Sequence, residues 1–270
     1  MTDKALVSVV IPCYRCARTL EHAMASVAAQ TLRPAEVILV DDASSDDTRD
    51  VLKKLKEQFD AGWIKLVFLD ENVGAGSARN AGWAVASQPY VAFLDADDAW
   101  HARKIEIQYG YMTIRPDVAL SGHEFRVLKQ GVLPNSDVDQ GEAQTVGKWA
   151  MLLSNQFVTP SAMIKRDVRY RFIERQRYME DHMLWLRVVC SGDRVVKLPV
   201  ALTAIYKAPF GVTGLSSRLW LMERSDLGNY RRLCQAGYIN RLQLAVLLAY
   251  SLLKFVRRLA IYLGYLRWKK

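Results

Sequence analysis

Three carboxylates fall within four residues in Phe93-Leu94-Asp95-Ala96-Asp97-Asp98-Ala99-Trp100, directly after the apolar run Tyr90 to Leu94. Charges so close repel one another unless a cation, an arginine or water lies among them. Oxygen-only ligands favour a hard ion such as Mg²⁺ or Mn²⁺, which commonly completes its shell with substrate phosphates. The cluster therefore points to a metal-bound diphosphate at the end of a buried strand. An Asp-rich turn that only caps the next helix would use the same residues.

A second acid pair, Glu180-Asp181, opens a segment whose apolar face carries Met183, Leu184, Leu186 and Val189. Carboxylates at a helix start are stabilised by the helix dipole without any function. The chemical alternative is a general base that removes the proton of an attacking hydroxyl, and one of the two acids suffices for it. Between the clusters lies Asn72-Val73-Gly74-Ala75-Gly76-Ser77-Ala78-Arg79-Asn80. Gly74-x-Gly76 invites a dinucleotide reading, but Arg79 holds the third glycine position and the loop follows the third strand instead of the first. An anion contact through backbone amides and the Arg79 guanidinium suits the residues better, with a surface ion pair as the plainer role for Arg79. His22, His101, His123 and His182 lack metal-ligand spacing and read as surface or packing residues.

The elements that must position these groups follow from periodicity. Strands are expected at Leu6 to Ile11, Glu36 to Val40, Ile64 to Leu69 and Tyr90 to Leu94. The helices between them are expected at Thr19 to Gln30, from the Asp41-to-Thr48 cluster to about Phe59, and up to Ala86. Strand and helix alternating in this way predict right-handed βαβ units and a parallel sheet, which binds ligands beyond the carboxyl ends of its strands. Every polar cluster in this half lies at such an end. Further on, helix is expected from His101 to Ile114, strand from Val118 to Leu128, a polar loop from Gly131 to Gln144 and a short helix from Val146 to Leu153. Extended segments are expected over Phe157 to Ile164 and Val195 to Tyr206, with a loop from Lys207 to Arg218.

The chain has 270 residues, 51% hydrophobic and 24% charged, the balance of a globular protein with ample core. Its net charge of +9 resides wholly in Arg218 to Lys270, where eleven Lys or Arg face two acids. Cys13 and Cys16 form a lone C-x-x-C with no second pair for zinc, and they read as ordinary reduced thiols ahead of a redox pair. The run Met1 to Pro12 is too short for a signal peptide, so a cytoplasmic location is expected.

Taken together, Val7 to Tyr14, Val40 to Thr48, Asn72 to Asn80, Phe93 to Trp100 and Glu180-Asp181 resemble the family-2 inverting glycosyltransferases of GT-A fold. The five motifs stand in family order and spacing over roughly residues 6 to 215. The resemblance implies an α/β fold with a mostly parallel central sheet flanked by helices. A catalytic domain is expected over 1–217, with a nucleotide-sugar half at 1–100 and an acceptor half at 101–217. It implies that Pro12, Tyr14 and Asp42 hold base and ribose, that Arg79 lies near the nucleotide, and that Asp95 and Asp97 form the D-x-D pair. Asp97 would ligate Mn²⁺ or Mg²⁺, with Asp95 towards ribose or diphosphate and Asp98 a weaker candidate. Asp181 would be the catalytic base, supported by Glu180, and the segment from Tyr206 to Ser217 would cover the donor diphosphate. The activity implied is metal-dependent transfer of a sugar from a nucleotide-diphospho-sugar to an acceptor hydroxyl, in surface polysaccharide or lipid-linked glycan assembly. A sugar-nucleotide nucleotidyltransferase would want a basic Gly-rich loop after the first strand, which Pro12-Cys13-Tyr14-Arg15-Cys16 is not. A non-catalytic membrane-surface module would not need acids at 95, 97 and 181.

The tail, 218–270, alternates apolar and basic character. Leu242 to Leu253 would span about 18 Å as helix, short of the roughly 30 Å hydrocarbon core. Lys254, Arg257 and Arg258 share a helical face near Tyr262, Tyr265 and Trp268. That suits a helix lying on an anionic leaflet, with packing against its own domain or a second copy as the alternative. A lipid-linked saccharide acceptor, a peripheral place on the inner face of the membrane and no nucleic-acid partner are expected from it.

Overall fold

Strand β1 (Lys4–Cys13) is buried on both faces: Val7, Val9 and Ile11 join one hydrophobic cluster, while Val10 joins another. Its neighbours β2 (Arg33–Asp41), β3 (Ile64–Phe68) and β4 (Tyr90–Phe93) pair in parallel in the order β3-β2-β1-β4. The computed structural model describes residues 4–133, 141–206 and 218–268. Residues 134–140 of the expected polar loop and residues 207–217 of the expected covering segment lie outside these residues, as do Lys269 and Lys270.

The sheet continues in mixed sense through β5 (Ala99–Trp100), β6 (Val118–Val127), β7 (Gln144–Thr145), β8 (Met163–Lys165) and β9 (Arg194–Ile205). β8 runs antiparallel to β4 and β6, β9 is parallel to β6, and β5 and β7 flank β9 antiparallel. Parallel pairing thus dominates the half expected to bind a nucleotide, and the far half is mixed. On one face α1 (Leu20–Ala28), α2 (Thr48–Gln58) and α4 (Lys104–Ile114) bury Leu20, Met24, Leu52 and Ile105. The other face takes α3 (Ala75–Val85), α5 (Lys148–Leu153) and α6 (Glu180–Cys190).

Two further helices, α7 (Leu219–Gln235) and α8 (Arg241–Trp268), close that second face, and Tyr230, Leu233 and Leu247 lie in the same core as Trp185 of α6. α8 is one continuous helix of 28 residues, where sequence spacing suggested a shorter apolar piece. Two of its bases turn inward. Lys254 Nζ donates to the carbonyl of Leu153 at 2.6 Å, and Arg258 pairs with fully buried Glu223 at 2.9 Å. Two of the three bases expected on an outward face are therefore spent on the protein itself. No helix of the described residues is long and apolar enough to cross a membrane.

Candidate active site

The acid cluster sits where the parallel half meets the mixed half. Asp98 N donates to the Asp95 carbonyl at 3.1 Å, which makes a tight turn between β4 and β5. β5 is then held against β9 through Ala99 and Trp100, whose indole donates to the Pro160 carbonyl at 2.8 Å. Asp95 and Asp97 are half-buried and Asp98 is buried. No group of three or more His, Cys, Asp or Glu able to hold a metal ion occurs among the described residues. Asp97 and the second oxygen of Asp95 are nonetheless hard oxygen donors of the kind that Mn²⁺ or Mg²⁺ accepts when diphosphate and water complete its shell. The donor set fits such an ion.

Arg79 reaches this turn from α3. One Nη donates to Asp95 Oδ1 at 2.6 Å and the other to Glu180 Oε1 at 3.3 Å, with the guanidinium 5.5 Å from the Phe172 ring centroid. At 3% exposure it is neither a surface ion pair nor an open cation. Burial alone would disfavour its charge, yet Asp95 and Glu180 raise its pKa above the ordinary value. Burial and the Asp181 charge push the Glu180 carboxyl up, against the pull of Arg79.

The glycine loop works differently from an anion cradle. Its amides at Val73 and Gly74 donate to Asp42 at 2.8 and 2.9 Å, and Asn72 Nδ2 adds a bond of 2.9 Å. The anion they hold is the protein's own buried Asp42, which fixes the loop to the end of β2. Gly74 needs its φ of 90° for this turn. Gly76 serves close approach, since a Cβ there would come within 2.9 Å of Glu180 Cγ. Asn80 exchanges bonds of 2.8 and 3.0 Å with the backbone of Phe172. Phe172 packs edge-on to Phe93, Trp83 and Trp185, so α3, β4 and α6 converge on one aromatic cluster.

Beside β1 and β2, Pro12 pairs in register with Val40, and Tyr14 is 46% exposed at the rim. Arg15 and Ala43 both take left-handed backbone, and Arg15 binds Ser44 and Ser45 across the gap, so the two loops interlock. Cys13 and Cys16 are buried here and form no disulfide.

Glu180 and Asp181 open α6 just after Met179, a non-glycine residue with φ 53° and ψ 27°. Such a left-handed residue bends the chain abruptly at the start of α6, where Glu180 turns to Arg79 and Asp181 to Asn155 and Thr159. Asp181 Oδ2 accepts from Asn155 at 3.2 Å and Thr159 at 3.3 Å, while Oδ1 accepts the His182 amide at 2.6 Å. Sequence reading missed Asn155, Thr159, His182, Asp226 and Asn229. The last two sit on α7, where Glu223, Asp226, Asn229, Tyr230 and Leu233 form one buried stripe. That three-and-four spacing was the available signal, hidden because three of its members are polar.

A mixed sheet flanked by helices, with an acid turn joined through Arg79 to a second acid pair, has the architecture of a GT-A type α/β fold. The family model of glycosyl transferase family 2 matches residues 8–151. The chain belongs to that family and is a glycosyltransferase. A relative in Escherichia coli, the UDP-Glc:alpha-D-GlcNAc-diphosphoundecaprenol beta-1,3-glucosyltransferase WfaP, is 29% identical over 69% of this chain and 71% of its own. The fold is similar to that of S. aureus TarS 1-349 in complex with UDP-GlcNAc, with TM-score 0.66 and 18% identity over 93% of this chain and 72% of that one. The mannosyltransferase PcManGT from Pyrobaculum calidifontis, in complex with GDP-Man and Mn2+, is likewise similar, with TM-score 0.66 and 18% identity over 97% and 76%.

Proposed function

We propose that this glycosyltransferase transfers a sugar from a UDP-sugar to a hydroxyl of a lipid-linked saccharide, with inversion, for surface polysaccharide or lipid-linked glycan assembly. The observation that carries the reading is the Arg79 bridge, which ties Asp95 at the donor end to Glu180 beside Asp181. Donor diphosphate and acceptor hydroxyl would then meet across one guanidinium. Asp97 and Asp95 would hold Mn²⁺ or Mg²⁺, which when bound offsets charge on the departing nucleoside diphosphate. Asp181 would take the acceptor proton, and attack from the opposite face inverts the anomeric centre. Pro12, Tyr14 and the loop built on Asp42 would enclose the base. The relative's UDP-Glc donor and diphosphoundecaprenol-linked acceptor favour this choice of substrates.

The outer face of α8 supports a place at the membrane surface. Leu242, Val246, Leu253, Val256 and Ile261 are each more than half exposed and run along one side of the helix. Exposed Arg241 and Arg257 flank them, a combination that suits the boundary of an anionic leaflet.

A thermal-shift panel of UDP, GDP and their sugars, with and without Mn²⁺, tests the donor half. A ligand at 100 times its dissociation constant stabilises by about 2.7 kcal/mol, several degrees for a domain of this size. UDP with metal should shift wild type and leave Asp97→Ala unmoved. A wild type indifferent to every nucleotide would overturn the reading. Asp181→Asn should keep the shift and lose transfer to a diphosphoundecaprenol-linked GlcNAc.

A further inference from the structure

His182 is 1% exposed, and each of its ring nitrogens faces an acceptor. Nδ1 lies 2.8 Å from Asp226 Oδ1 of α7, and Nε2 lies 2.8 Å from the Met151 carbonyl of α5. A carbonyl oxygen can only accept, so Nε2 carries a hydrogen, and a proton also lies between Nδ1 and the Asp226 carboxylate. We propose that His182 is an imidazolium clamped between α5 and α7, and that it is a positioning residue for the Asp181 carboxylate beside it. This rests on the reading of Asp181 as the base.

The link to Asp181 is direct, because the backbone N–H of His182 is the donor to Asp181 Oδ1. Fixing the ring on both sides fixes the first turn of α6, and with it the direction in which Asp181 points. Asn229, one turn along from Asp226, adds a bond of 2.9 Å to the carbonyl of left-handed Met179. α7 therefore grips the base-bearing turn at residues on both sides of Asp181. The charged groups around the ring are Asp181 on its own helix and Asp226 on α7; Glu223, Tyr230 and Lys254 of α8 stand around Asp226. Burial works against the charge, but Asp226, the Met151 carbonyl and Asp181 outweigh it and raise the His182 pKa.

The test is ¹⁵N-histidine and ¹³C-carboxyl NMR on the full chain, with transfer kinetics from UDP-glucose to diphosphoundecaprenol-linked GlcNAc. In wild type both His182 nitrogens should read as protonated at pH 7.5, above the ordinary histidine value of about 6.5. Asp226→Asn should release that proton and move the ¹³C resonance of the Asp181 carboxyl at pH 7.5. It should lower kcat by roughly 10²-fold with KM for UDP-glucose unchanged, as expected for misplacement of a catalytic group. Asp226→Glu should recover part of the loss. A neutral wild-type ring at pH 7.5, or an Asp181 carboxyl resonance identical in Asp226→Asn, overturns the proposal, and the wild-type spectrum decides even if the variant does not fold. Normal turnover by Asp181→Asn would remove the base assignment. Normal turnover by Asp226→Asn alone would remove only the positioning role.

Discussion

Arg79 and Glu180 are 101 residues apart in the chain, and their side chains meet at 3.3 Å. The same guanidinium holds Asp95, so one buried cation orders the acids at both ends of the site. Arg79→Ala would leave buried carboxylate facing no counter-charge, at a cost of about 3 kcal/mol in urea unfolding. Arg79→Lys should rescue little, because a single ammonium cannot reproduce the fork that spans two carboxylates.

Gly82 is fixed by packing alone. A Cβ there would lie 2.5 Å from Val10 Cγ1 and 2.9 Å from Val40 Cγ2, both in the sheet core. Gly82→Ala should therefore lower stability by about 1–3 kcal/mol despite the gain in helix propensity, read as a fall in Tm. An unchanged Tm would mean that α3 can lift from β1 and β2 freely.

Stability should also respond to pH through His182. A group whose pKa is raised on folding stabilises fully below its unfolded value, and the contribution fades as pH climbs through the folded value. The free energy of unfolding should thus decline above about pH 6.5, by at most about 1.4 kcal/mol per pH unit for one proton. In Asp226→Asn this alkaline slope should flatten.

The outer face of α8 makes a separate prediction for vesicle binding. Leu242 and Leu253 are 74% and 70% exposed, so Leu242→Glu and Leu253→Glu should leave the fold intact. Each should reduce co-sedimentation with phosphatidylglycerol vesicles and leave UDP binding unchanged. Deleting everything after Ser217 would be a poor substitute, because it removes Tyr230, Leu233 and Leu247 from the core.

The parallel half was legible because its signals are local. β1 to β4 are short apolar runs closed by polar clusters, and each acid of interest lies within a few residues of a strand or helix end. What escaped was the use of charges at long range. Three donors from Asn72, Val73 and Gly74 converge on Asp42, and nothing in its own loop announces them. Lys254 and Arg258 had the look of a surface patch because their partners, Leu153 and Glu223, are distant in sequence. Histidine spacing could not reveal Asp226, the partner of His182 44 residues further on.

The stripe of Glu223, Asp226 and Asn229 has a consequence for how such enzymes can be recombined. Ser251 and Arg258 on α8 bind Glu223, while His182 and the Met179 carbonyl bind Asp226 and Asn229. A chimera that grafts another relative's C-terminal helices onto residues 1–217 would have to match that stripe residue for residue, or lose the contacts that hold the first turn of α6.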